Sequence, residues 1–294
     1  MNYRLFLKEL LQELKKDERL SGDISFSVNT GINGVKSRRM IIRNHSEGIS
    51  PCIHLDYYYD EFMKGRSAEE IAKSIVDLYC ARPDFSETDV SLSWDRLHDH
   101  ISFMLINYER NREMLKSMPH IRFLDFALIF RTDSGFLGID GFIKISTALM
   151  AQLGVDTKAL FTAAYKNTPT LLPISIFPMG KLFSDDMISE CELPEILVCT
   201  NQAKSYGASV ILYDDFIKKA AESGYEDFYI IPSSVHELLL FRKESESMRE
   251  DLEELVREVN RSDAVSASDY LSDRVYTAEE FSAAVDSIVK QNLL

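Results

Sequence analysis

Six consecutive residues, Pro232-Ser233-Ser234-Val235-His236-Glu237, carry hydroxyl, imidazole and carboxylate groups. In the right geometry these would serve acyl transfer, with Ser234 or Ser233 as nucleophile, His236 as base and Glu237 as orienter. The spacing works against it. If His236 and Glu237 open a strand, their side chains leave on opposite faces, so Glu237 is badly placed to hold the ring. The Gly-x-Ser-x-Gly turn that exposes a hydrolase serine is also missing. A Pro-Ser-Ser turn whose hydroxyls bond nearby backbone groups accounts for the same residues. A second segment, Asn201…Lys204-Ser205-Tyr206-Gly207-Ala208, follows the end of an expected strand. Ligands often bind there in open α/β sheets, and Lys204, with Asn201, could meet an anion. One glycine does not make a phosphate-cradling loop, so a structural turn is the main expectation.

No other cluster offers matched ligands. Trp94–His100 brings Asp95, His98, Asp99 and His100 together, and Cys52-x-His54 would share a strand face, but neither has a second pair at metal-binding spacing. Cys52, Cys80, Cys191 and Cys199 are widely separated, with no Cys-x-x-Cys. Neither a metal nor a cofactor is therefore expected. Arg39 and Arg43 would lie on one face of a strand, a possible anion contact without the aromatic platform that single-stranded nucleic acid needs.

The elements that must position these residues read as follows. An N-terminal helix over Tyr3–Lys16 has an apolar stripe, and strands at Asp23–Val28, Val35–Arg43 and Pro51–Asp56 follow it. Ser67-Ala68-Glu69-Glu70 is a capping box opening a helix to Cys80. A polar connection, Pro83–Trp94, ends this first unit, 1–82. A central body, 95–241, holds an ambiguous stretch at Asp95–Tyr108 and a hairpin of Phe123–Arg131 with Phe136–Ile145 about Asp133-Ser134-Gly135. Helices are expected at Thr147–Leu153 and Thr157–Lys166, ending at Thr168-Pro169. Short strands follow at Ile196–Cys199, Ser209–Tyr213, Asp227–Ile231 and His236–Phe241, with a helix at Asp214–Ser223. The remainder, 242–294, reads as an acidic helical tail. Its helix Ser247–Asn260 sets Met248, Leu252, Leu255, Val256 and Val259 on one face. The fold class is α+β: mixed or antiparallel sheets with packed helices, then this tail.

Several of these segments resemble a family of uncharacterised proteins common in anaerobic gut bacteria. They are Leu105-Ile106-Asn107-Tyr108-Glu109-Arg110-Asn111, Phe123-Leu124-Asp125-Phe126-Ala127, Asn167-Thr168-Pro169 and Thr200-Asn201…Lys204…Gly207-Ala208. Tyr229-Ile230-Ile231-Pro232-Ser233-Ser234…His236-Glu237 is the most specific of them. The resemblance spans roughly residues 20–245 and implies a shared fold; the family carries no known activity.

The chain has 294 residues and a net charge of −14, enough length for a sizeable core. Its charge argues against general binding to nucleic acid, whose phosphates need cations. The charge is uneven, with nine Lys/Arg against five Asp/Glu in residues 1–43 and six against thirteen in 243–294. No apolar run approaches the roughly 18 residues that span a bilayer, and no signal-peptide core is present, so a cytoplasmic protein is expected. The leading expectation is a non-enzymatic interaction or regulatory protein. Its partner, or a second copy of itself, would meet the Ser247–Asn260 helix. The alternatives are a hydrolase using Ser234 or Ser233 with His236, and an acidic decoy of a nucleic-acid-binding protein.

Overall fold

The computed structural model describes residues 2–20, 22–43, 52–81, 92–135, 141–182, 196–224, 227–262 and 264–293. Most of the Pro83–Trp94 connection, Cys191 and the start of the strand expected over Phe136–Ile145 lie outside them. The described strands pair antiparallel throughout, in three sheets with packed helices, so the protein is α+β. The chain divides into two compact units.

The first unit holds Met1–Gly31, Val35–Ser91 and Phe136–Ile139. Helix α1 (Tyr3–Leu14) repeats apolar residues four apart, and Phe6, Leu10 and Leu14 are fully buried. Strands β1 (Asp23–Thr30), β2 (Lys36–Arg43) and β3 (Cys52–His54) form one sheet in that order. Phe26 pairs with Met40 and Met40 with Ile53, all on the face that packs against α1, α2 (Asp56–Met63) and α3 (Ala68–Cys80). Strand alternation puts Arg39 and Arg43 on the other face, where Arg39 Nε donates to Ser37 Oγ. The capping box forms as the sequence indicates: Ser67 Oγ accepts from Glu70 N, and Glu70 Oε2 accepts from Ser67 N.

The second unit contains Ile32–Gly34, Leu92–Gly135 and Asp140–Leu294. Residues 242–294, expected as a separate tail, are part of it. Short helices α4 (Trp94–Leu97) and α5 (Arg112–Leu115) flank β4 (Ile101–Asn107). In the sheet, β4 lies along one side of β6 (Phe126–Asp133); β5 (His120–Phe123) and β7 (Phe142–Lys144) share the other. Every residue of β4 is buried, as is every residue of β6 but the last. Both faces are covered, so these strands read as continuous apolar runs, which is why Asp95–Tyr108 shows no clean alternation. Beyond α6 (Thr147–Leu153), helix α7 (Thr157–Leu171) packs on β4. It continues past the expected stop at Pro169, because a proline in the last turn sacrifices only one intrahelical bond.

The third sheet has the order β12-β10-β11-β9-β8, from β8 (Ile174–Pro178), β9 (Ile196–Asn201), β10 (Phe228–Ser234), β11 (Glu237–Arg242) and β12 (Tyr276–Thr277). No strand was expected at β8. The expected strand Ser209–Tyr213 is instead a fully buried 3₁₀ helix, Gly207–Leu212, held by Ser209 Oγ donating to Tyr206 O. A short buried apolar run does not distinguish the two by period. Helix α8 (Phe216–Glu222) follows. Helix α9 (Met248–Arg261) lays Leu252 and Val256 on Tyr229, Ile231 and Val275, leaving Leu255 and Val259 at the surface. The apolar stripe expected to meet a partner is thus largely covered by the chain's own sheet. Helix α10 (Ala278–Leu293) sets Phe281 against Phe123, Phe126 and Tyr276, with ring centroids 4.7 to 6.1 Å apart.

Candidate functional site

The two segments singled out by their chemistry meet. Thr200 Oγ1 donates to His236 O at 2.7 Å, Ala208 N donates to Val235 O at 3.3 Å, and Tyr206 N donates to His236 Nδ1 at 3.2 Å. Gly207 permits this approach, because a Cβ there would stand 2.6 Å from both Asn201 N and His236 O. Lys204 and Tyr206 take left-handed backbone angles (φ 50° and 52°), an uncommon conformation outside glycine.

The meeting does not build a serine–histidine pair. Strand β10 runs through Ser234, which pairs with Glu237, so the turn is Val235-His236 rather than Pro-Ser-Ser. Ser234 Oγ accepts from the His236 backbone N–H, and Ser233 lines a shallow apolar groove beside Leu255 and Val259. Neither hydroxyl is hydrogen-bonded to the imidazole. Nδ1 of His236 accepts from Tyr206, which places the ring proton on Nε2, facing Asp269 Oδ1 at 3.6 Å. Asp269, and not Glu237, is the carboxylate beside the ring. Asn201 is fully buried: its side-chain amide donates to Ser205 O and its oxygen accepts from Ser205 N, so it clamps the loop. Lys204 Nζ stands 5.9 Å from the centre of the Phe177 ring.

What the loop does build is one wall of a cleft of about 330 Å³, lined by His100, Ser102, Arg131, Asp133, Gly141, Phe142, Leu171, Leu172, Ala203 and Ser205. The 203–205 loop faces the end of α7 and the ends of β4, β6 and β7. Arg131 is its unusual member. It is only 6% exposed, and burial pulls its guanidinium below the ordinary arginine range. Nε donates to Ser102 Oγ at 3.3 Å, and the guanidinium carbon lies 4.7 Å from the Phe142 ring centre and 5.4 Å from that of Tyr206. No carboxylate among the described residues forms an ion pair with it, although the Asp133 charge nearby favours the guanidinium. Asp133, two residues on, turns its Oδ1 to Gly135 N.

The sequence reading passed over Arg131. Its signal was present: one arginine inside the apolar run Phe126–Phe130 and Thr132. The other segments carrying the family resemblance prove to be internal clamps. Asn111 exchanges hydrogen bonds with Asn33, Asn107 Nδ2 donates to Leu271 O, Asp125 accepts from Ser272 and Tyr276, and Asn167 Nδ2 donates to His98 O. Among the described residues no group of three or more His, Cys, Asp or Glu side chains is placed to hold a metal ion.

A family model matches residues 3–278. The chain belongs to DUF5688, a family of unknown function. No curated protein and no solved structure matches it. Membership therefore assigns a shared body to nearly the whole chain, including both converging segments and Arg131, and no chemistry. No helix among the described residues is long and apolar enough to cross a membrane.

Proposed function

We propose that this DUF5688 protein is a non-enzymatic regulatory or interaction protein that holds a small ligand in the Arg131 cleft without transforming it. The observation that carries the reading is a guanidinium buried in a cleft with no ion-paired carboxylate among the described residues. Burying a charge is costly unless it is paired, and such a group, once inside, is poised for a ligand. The volume falls near the lower end of small-molecule sites, which run to roughly 300–1,000 Å³. The hydrolase alternative is weaker on geometry, since Nδ1 of His236 is engaged by a backbone N–H and neither serine reaches the ring. A cytoplasmic location suits the chain, whose Cys52 and Cys80 are free, exposed thiols.

The test is a thermal-shift screen of small metabolites, with mass spectrometry on each compound afterwards. Compounds that raise the melting temperature should be recovered unchanged and should lose their effect when Ala203→Trp fills the cleft. Turnover of a compound, or labelling of Ser233 or Ser234 by a fluorophosphonate that is abolished by His236→Ala, would overturn the reading.

A further inference from the structure

The chemistry of the cleft also specifies its ligand. A guanidinium has five N–H donors in one plane, and among the described residues only Nε of Arg131 has a protein acceptor. The two terminal nitrogens donate to nothing among the described residues, although Arg131 is buried. The Phe142 and Tyr206 rings favour the positive charge through their π faces. They offer no oxygen to those N–H groups. Ser102 accepts from Nε and so fixes one side of the fork, leaving the outer nitrogens as a two-pronged donor, the geometry that carboxylates and phosphates match.

Charge decides between those two. Among the described residues Arg131 is the single Lys or Arg lining the cleft, and Asp133 lines it as well. A dianionic phosphate would be left under-neutralised by one guanidinium and repelled by that carboxylate. A carboxylate, with one charge, balances Arg131 and meets a weaker repulsion from Asp133. The remaining walls are His100, Gly141, Phe142, Leu171, Leu172, Ala203 and Ser205. Phe142, Leu171, Leu172 and Ala203 suit a compact apolar body attached to the charged group.

Resting on the binding reading above, we infer that the Arg131 cleft recognises a small monocarboxylate with an apolar body, gripped by the terminal nitrogens of Arg131. The experiment uses the full chain and three probes of matched shape: benzoate, benzamide and phenyl phosphate. The side-chain Nε–H resonance of Arg131 is followed by ¹⁵N NMR, assigned by its disappearance in Arg131→Gln. Benzoate should move that resonance to saturation and bind at least roughly tenfold more tightly than benzamide, the least that a buried charge-assisted pair contributes. Arg131→Gln should bring benzoate down to the level of benzamide. If that variant does not fold, the comparison of probes on the unaltered protein decides alone. Equal binding of benzamide and benzoate overturns the carboxylate while leaving a binding cleft intact. Tighter binding of phenyl phosphate overturns it in favour of phosphate. If no probe moves any cleft resonance the inference falls, and the binding reading falls with it only if the wider screen also finds nothing.

Discussion

Two close approaches, one at Gly207 and one at Arg131, set what individual residues can do. Gly207 lies where the 201–208 loop crosses the His236 turn, and a methyl group there would press on the Thr200 hydroxyl, on Asn201 N at the end of β9 and on His236 O in the turn. Gly207→Ala should lower the unfolding free energy by about 1–3 kcal/mol, the usual cost of overpacking, measured by urea denaturation. A variant as stable as the parent would show that the crossing is loose. Cys199 gives a pH test. Burial pushes its thiol up to about 12, so the folded protein keeps it protonated where an unfolded chain would ionise. That protection is complete below the unfolded thiol range and is lost as pH rises toward 12. At pH 8, iodoacetamide should therefore alkylate Cys52 and Cys80 in the folded protein and reach Cys199 only in denaturant. Prompt labelling of Cys199 in native protein would contradict its burial. Residue types announced some of this. Ser67 and Glu70 sit three apart in a local motif, and they form it. The role of Arg131 was not legible, since its meaning comes from Ala203 and Ser205, 72 and 74 positions further along the chain, which line the same cleft.

Elements were legible where one face meets solvent and obscure where both are covered. Helix α1 and strand β1 showed their periods because their outer residues are mostly polar, whereas β4 and all of β6 but its last residue are buried and carry no alternation to read. Helix α9 was found from its stripe, but the stripe alone does not say what covers it. Its cover is the β10–β11 sheet, where Leu252 is 6% exposed. Leu252→Ala should therefore cost about 2–5 kcal/mol by urea denaturation, as for other buried leucines. Leu255→Ala, at 48% exposed, should cost well under half of that. Equal effects at the two positions would mean that the helix lies otherwise. The edge strand β8 was missed because Ile174–Pro178 is short, half-exposed and closed by proline, which removes the donor a central strand would need.

For the molecule as a whole, the net charge of −14 repels anions at long range, so a carboxylate must be won by a local cation. Salt screens the long-range repulsion more than it screens a pair inside a dry cleft. The affinity of benzoate should accordingly hold or rise between about 0.01 and 0.15 M salt by isothermal titration, as the Debye length shortens. A steep fall would place the anion on an exposed lysine or arginine instead. The central claim is that Arg131 is kept in the cleft for a ligand and at some cost to the fold. Paired urea denaturations of the wild type and Arg131→Met, with and without benzoate, test it most directly. Replacing an unpaired buried charge by an apolar side chain should raise the stability of the free protein by about 1–4 kcal/mol. Saturating benzoate should stabilise only the wild type, by about 2.7 kcal/mol at a hundred times its Kd. A variant that is less stable than the wild type and still gains from benzoate would contradict the account.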